Sequence, residues 1–322
     1  MKGKQTAALS RREMFRGAFA LGGVAVGSAA FGEDAAATAP SSATGMGPAP
    51  ARSFSYAHIH AGASSPFSVF HISDSHLTEA EPGEPSAVVS HAKKRTGTFC
   101  ARQMESVRSL VDFAKKCSDL IVHTGDLLDF HSKGNVAAAK EVFALAPDMF
   151  FGCIGNHEYY RHGAGSAKRH AKACAAAFPY DLTFDSRVLN GVNFVSMDDA
   201  LWDQGGANGP TAVQRERFAK EVEKGLPIIL CVHVPLHTPD IIMATAQYWK
   251  NRSGKFRNSS KFVPKFNKDT KDFIAYLKGE PLLKAILSGH EHIAMEERFS
   301  PTAVQFMAPG GFAFAGRHVL IT

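Results

Sequence analysis

Residues 119–129 read DLIVHTGDLLD, an apolar run of strand length that breaks on a glycine and two aspartates three positions apart. A run this short, rich in aliphatic residues and bounded by turn formers, fits a strand buried on both faces. The same pattern recurs upstream in PFSVFHISD (66–74) and downstream in MFFGCIGN (149–156) and VNFVSMD (192–198). It continues in PIILCVHV (227–234), LKAILSG (283–289), AVQFMAP (303–309) and HVLIT (318–322). Between these runs, residues 100–117 place Met104, Val107, Leu110, Val111, Ala114 and Cys117 on one helical stripe. Segments 166–178, 211–224 and 270–278 also read as helices. Strands alternating with helices predict an α/β chain that carries its chemistry on the loops leaving the strands. The stretch from 303 to 322 is expected to be two strands joined by a glycine turn.

The chain has 322 residues, 45% hydrophobic and 20% charged, which excludes a disordered, collagenous or polytopic membrane protein. Its formal charge of +6 is unevenly spread. Lys2, Lys4, Arg11, Arg12 and Arg16 against Glu13 give +4 within residues 1–32, and 31 basic against 29 acidic side chains leave +2 for residues 33–322. The basic balance therefore says little about partners, and nucleic acid is not expected as one because the residues after the N-terminal segment carry too small a basic surplus to support it. Ser10 to Arg16 (SRREMFR) resembles the twin-arginine export signature, and Gly17 to Gly32 carry no charge. The expected organisation is a signal segment over 1–32, a Pro/Ser/Ala-rich leader over 33–64 and one folded domain over 65–322. The expected location is the periplasm or another exported compartment, with no stable membrane span after signal cleavage. Five cysteines imply no disulfide framework, and none has ligand-pair spacing.

Five strand exits carry polar clusters: Asp74-Ser75-His76, Gly125-Asp126 with Asp129, Gly155-Asn156-His157-Glu158, His233, and Gly289-His290-Glu291-His292. One such cluster is most often a turn or a cap. Five together, on loops that converge at one sheet edge, point to a metal site. Carboxylates and imidazoles without cysteine suit divalent ions such as Mn, Fe, Zn, Co or Ni. His71 and His123 lie inside strand runs and read as core histidines, whereas His237 is close enough to His233 to line a pocket. The segment from Tyr248 to Asp272 is strongly basic and reads either as a solvated loop or as a lid.

In order and without a missing member, these blocks resemble the DxH, GDxxD, GNH(D/E), H and GHxH pattern of the calcineurin-like metallophosphoesterase superfamily. The resemblance runs from residue 66 to about 309 and implies a four-layer sandwich of two mixed β-sheets flanked by helices. It implies that Asp74, His76 and His292 hold one metal ion, that Asn156, His233 and His290 hold a second, and that Asp126 bridges them. A metal-bridging hydroxide would then leave a net positive site that favours a phosphate anion. By the same resemblance His157 contacts the phosphoryl group or protonates the leaving oxygen, and Asp129 orients it.

The chain departs from purple acid phosphatases, which have a tyrosine ligand where it has Asp129. It also departs from protein Ser/Thr phosphatases at Phe130-His131 and Ile154-Gly155. The expected activity is an exported phosphodiesterase or phosphomonoesterase acting on a small phosphate ester. The alternative is a catalytically inactive metal-binding module on the same fold, against which the presence of both Asp129 and His157 argues.

Overall fold

Period-two alternation along buried strands sends neighbouring residues to opposite faces, and this sets the layering. In β2 (Phe67–Ile72), Phe67 and Val69 enter one core while Phe70 and Ile72 enter another. The computed structural model describes residues 51–159, 173–200, 210–236, 241, 243–248 and 268–322. The expected signal segment, residues 33–50 of the expected leader, residues 166–172, His237 and residues 249–267 of the basic segment lie outside the described residues.

One mixed sheet has the order β1 (Ser53–Ile59), β11 (Ala315–Ile321), β2, β3 (Leu120–Thr124) and β4 (Phe150–Cys153). The other has the order β5 (Phe184–Leu189), β6 (Val192–Met197), β7 (Ile228–Cys231), β8 (Leu283–Ser288), β10 (Val304–Met307) and β9 (Met295–Arg298). Between the sheets, Val69, Val122 and Phe151 meet Phe194, Ile229, Ala285 and Leu287. The outer face of the first sheet packs under α2 (Gln103–Cys117) and α3 (Lys133–Ala144) through Phe70, Ile121, Leu110, Val111 and Val142. The outer face of the second packs under α4 (Ala212–Val222) and α5 (Lys268–Gly279) through Leu230, Ile286, Phe218 and Leu277. These three cores make the four layers that the resemblance implies. Each fully buried Leu, Ile, Val or Phe contributes about 1.5–3 kcal/mol of transfer free energy, so the layers hold without disulfides; all five cysteines are free.

Helix α2 shows why pattern becomes packing. Its buried residues are Gln103, Ser106, Val107, Leu110, Val111 and Ala114, an unbroken i, i+3, i+4, i+7 stripe. Ser106 also donates to the carbonyl of Gly311 at 2.5 Å and accepts from the Phe314 N–H at 2.7 Å, which fastens the 311–314 segment to this helix.

Two expectations are corrected. Residues 53–59, assigned to the leader, form β1, paired in parallel with β11 from Ser53↔Ala315 to Ile59↔Ile321, so folded structure begins well before residue 65. Residues 303–322 do not form a hairpin. β10 runs parallel to β8 in one sheet, while β11 runs antiparallel to β2 in the other. Each strand pairs with partners from elsewhere in the chain, and residues 308–314 carry the chain from one sheet to the other. Among the described residues, no helix is long and apolar enough to cross a membrane.

Within the sheets, β2, β3 and β4 are mutually parallel, as are β6, β7 and β8. Their C-terminal ends therefore leave on common edges, where the polar clusters sit.

Candidate metal centre

Turning sharply out of buried strands requires unusual backbone at the site. Asp74, His76, Asp126, His290 and His292 all have φ between 45° and 71°. This left-handed region costs a non-glycine residue of order 1 kcal/mol or more, so surrounding contacts must hold five of them there at once. Gly125 (φ 89°) shows the crowding, because a Cβ there would lie 2.6 Å from the Gly155 nitrogen and 2.7 Å from His233 Nδ1. At Gly289 a Cβ would lie 1.8 Å from Ser73 Oγ and 2.6 Å from Asp74 Oδ2. The glycines of both blocks are thus demanded by approach of the ligand-bearing loops.

All nine sequence-predicted site residues come together. Asp74, His76 and His292 form one group of potential ligand atoms, and Asp126, His233 and His290 form a second. In the first, His292 Nε2 lies 3.1 Å from His76 Nε2 and 3.3 Å from Asp74 Oδ1. In the second, His233 Nε2 lies 3.1 Å from Asn156 Oδ1, 3.2 Å from His290 Nδ1 and 3.3 Å from Asp126 Oδ2. Asp126 Oδ2 also lies 3.8 Å from His76 Nε2, which puts one carboxylate oxygen between the two groups.

The donor chemistry fits two cations. A carbonyl oxygen only accepts, so the 2.7 Å contact of His233 Nδ1 with Thr124 O places a proton on Nδ1. Nε2 then turns toward acceptors, the oxygens of Asn156 and Asp126. That arrangement needs positive charge, either as a second proton or as a metal ion. Without an ion the ring is driven toward imidazolium: burial opposes this, but the charge of Asp126 pulls His233 up to about 10. On the other side Asp74 Oδ1 is buried and accepts no hydrogen bond. Burial holds His290 down to about 3, aided by the neighbouring His233. Burial also lowers His76 to about 4, although its bond to Asp129 pulls upward. Neutral imidazoles beside ionised carboxylates are the ligand states that divalent metals bind.

Around these groups lies a supporting set. Asp129 Oδ1 accepts from His76 Nδ1 at 3.0 Å. His157 Nδ1 is nearest the main-chain carbonyl of Asp129, at 2.6 Å, and lies 3.2 Å from its carboxylate. Asp129 thus meets His157 through its backbone more closely than through its side chain. The His157 N–H also donates to Asp126 Oδ1 at 2.8 Å. Burial works against a charged His157, but Asp126 and then Asp129 outweigh it and raise the ring to about 9.

Glu158, whose role the sequence left open, is a buried clamp. Its carboxylate accepts from the N–H groups of Gly155, Leu128 and Asp126 at 2.7, 2.8 and 3.1 Å, tying the GNHE loop to the GDLLD loop. Burial, with the charge of Asp126, pushes Glu158 up to about 7. His71 and His123 are core histidines, bonded to Thr124 Oγ1 and Ser75 Oγ.

Sequence reasoning missed three contributors. Asp199, just after β6, accepts from the N–H groups of His233 and Val234, both at 3.0 Å, and fixes the loop that presents His233. Phe99 stacks on His76 with centroids 4.1 Å apart and planes 6° apart. Arg95, in the last turn of α1 (Ser86–Thr98), forks onto Asp129. The aspartate pair at 198–199 followed an apolar run and was a readable signal. Phe99 and Arg95 lie outside every motif.

Comparison with known proteins gives the family. The family model described as calcineurin-like phosphoesterase matches residues 67–294. No curated protein matches the chain. Among solved structures, it is similar to a dimetal phosphatase from Danio rerio (12% identity, 77% of this chain and 88% of that one, TM-score 0.44). It is also similar to a purple acid phosphatase from yellow lupin (16% identity, 78% and 45% covered, TM-score 0.45). A third is the phosphopantetheinyl hydrolase of Mycobacterium tuberculosis (12% identity, 78% and 95% covered, TM-score 0.42). With the family model spanning both sheets from β2 to the last ligand block, the chain belongs to the calcineurin-like phosphoesterase family and is a hydrolase of phosphate esters.

Proposed function

We propose that the chain is an exported, dinuclear metal-dependent hydrolase of small phosphate esters, monoester or diester. The observation that carries this reading is Asp126 Oδ2, set 3.3 Å from His233 Nε2 and 3.8 Å from His76 Nε2, between two groups of ligand atoms. Asp74, His76 and His292 would hold one divalent ion, Asn156, His233 and His290 the other, and Asp126 both. When bound, two such ions supply Lewis acidity to phosphoryl oxygens and lower the pKa of water to near neutral.

The protein's own groups do the rest. Asp129 and Thr124 fix the tautomers of His76 and His233 so that each presents its Nε2 lone pair. His157 has its Nδ1 committed to Asp129 and its side chain 22% exposed, which leaves Nε2 to hold a proton for the leaving oxygen. Phe99 and Phe312, both buried, cover His76 and His292 and keep water from that side of the ligands. Export is supported by SRREMFR at 10–16 and the uncharged run behind it.

The test is Asp126→Ala, assayed for metal content and for turnover of p-nitrophenyl phosphate and bis-p-nitrophenyl phosphate. Loss of the shared carboxylate should lower bound metal and reduce turnover by more than the roughly 10–100-fold typical of outer-shell changes. Two metals per chain with near-normal rate would remove the assignment.

A further inference from the structure

Asp129 is fully buried and serves three partners. Oδ2 accepts from Arg95 Nε at 2.6 Å and Oδ1 from Arg95 Nη2 at 2.7 Å, a two-pronged fork. The same Oδ1 takes His76 Nδ1 at 3.0 Å and lies 3.2 Å from His157 Nδ1. A carboxylate free to turn about its Cβ–Cγ bond could not keep one oxygen aimed at two imidazoles. Planar bidentate pairing with a guanidinium removes that freedom, which a lysine ammonium cannot do. Arg95 is itself held, with Cζ 4.8 Å from the centroid of Phe99, the ring that lies flat on His76. The last turn of α1 and the residue after it thus brace both the carboxylate and the imidazole.

We propose that Arg95 is a positioning residue: by locking the Asp129 carboxylate it fixes the ring of His76 for the first metal position and, through the same oxygen, the ring of His157. The proposal rests on the metal-dependent reading of the site. The influence of Arg95 on the site passes through Asp129, which it forks, and Phe99, which it covers.

The experiment compares wild type, Arg95→Lys and Arg95→Ala. Each protein is stripped of metal and titrated with Mn²⁺ by calorimetry, then assayed with aryl phosphates of good and poor leaving groups at saturating Mn²⁺. Arg95→Ala should weaken the tighter Mn²⁺ association by roughly 10–100-fold, the cost typical of outer-shell partners. At saturating metal its kcat should fall more on the poor leaving group, with KM little changed. Arg95→Lys should recover only part of either effect, because it restores charge without the fork. Added guanidinium should restore Mn²⁺ affinity in Arg95→Ala, and urea, similar in shape but uncharged, should not.

Wild-type Mn²⁺ affinity in Arg95→Ala would overturn the proposal. So would a loss that guanidinium leaves unchanged, which would make Arg95 a general structural support. Absence of Mn²⁺ binding or ester hydrolysis in the wild type would instead defeat the underlying reading of the site, a separate failure.

Discussion

His157 uses its two ring nitrogens for different tasks. Nδ1 is fixed by the Asp129 carbonyl, and Nε2, 4.0 Å from Asp126 Oδ2, faces the site. What the residue gives to the metal ligands is its main-chain N–H on Asp126 Oδ1, and a side-chain substitution leaves that bond in place. His157→Ala should therefore keep its metal while losing kcat by about 10²–10⁴-fold on esters with poor leaving groups, and by much less on activated aryl esters, which depart without a proton. Steady-state rates across a series of substituted phenyl phosphates check this, and an equal loss on all of them would end the proton-donor role. At this scale the sequence was informative, because each predicted residue sits where a strand ends and the motif spacing survives folding. It was silent on Arg95 and Phe99, which reach the site from a helix end with no local pattern to mark them.

Legibility of the elements followed burial. Strands with two buried faces, such as β3 and β7, read clearly as continuous apolar runs. β5 (FDSRVL) and β9 (MEER) are outer strands of their sheet, half exposed and polar, so they gave no signal. Helix α1 buries only Val88 and Ala92, and α3 is alanine-rich, so neither shows the stripe that made α2 evident. β1 was hidden differently, behind a small-residue leader that masked its alternation.

That strand matters to stability. Ile59 is buried in the core between the sheets, and Phe54 packs 5.3 Å from Phe70 and 4.2 Å from Phe113. A chain trimmed to begin at residue 65 would uncover the edge of β11 and lose buried Ile59 and half-buried Phe54, at most about 6 kcal/mol by transfer energies. Thermal or urea unfolding should show a large loss of stability relative to a chain beginning at residue 49. Equal stability would mean that β1 contributes nothing to the fold.

At the scale of the whole molecule, the two sheets contribute complementary parts of one site: the first supplies Asp74, His76, Asp126, Asn156 and His157, and the second supplies His233, His290 and His292. Neither sheet alone holds a complete set of the proposed ligands, so metal binding should depend on the core between them. The uneven charge also belongs to this scale, since residues 1–32 alone carry +4. Replacing Arg11 and Arg12 by lysine keeps that charge and removes the paired arginines of the proposed export signature. The variant should accumulate in the cytoplasm while retaining activity in extracts, as fractionation and assay would show. Undiminished export would contradict the twin-arginine reading.

The central claim is that hydrolysis depends on two metal ions sharing Asp126. The most direct measurement is turnover of p-nitrophenyl phosphate and bis-p-nitrophenyl phosphate by chelator-stripped protein as Mn²⁺, Zn²⁺, Fe²⁺, Co²⁺ or Ni²⁺ is added back in known equivalents. The account predicts no turnover in the stripped protein and a rise that saturates at two equivalents with at least one of these ions. Full activity after stripping, or saturation at a single equivalent, would contradict it.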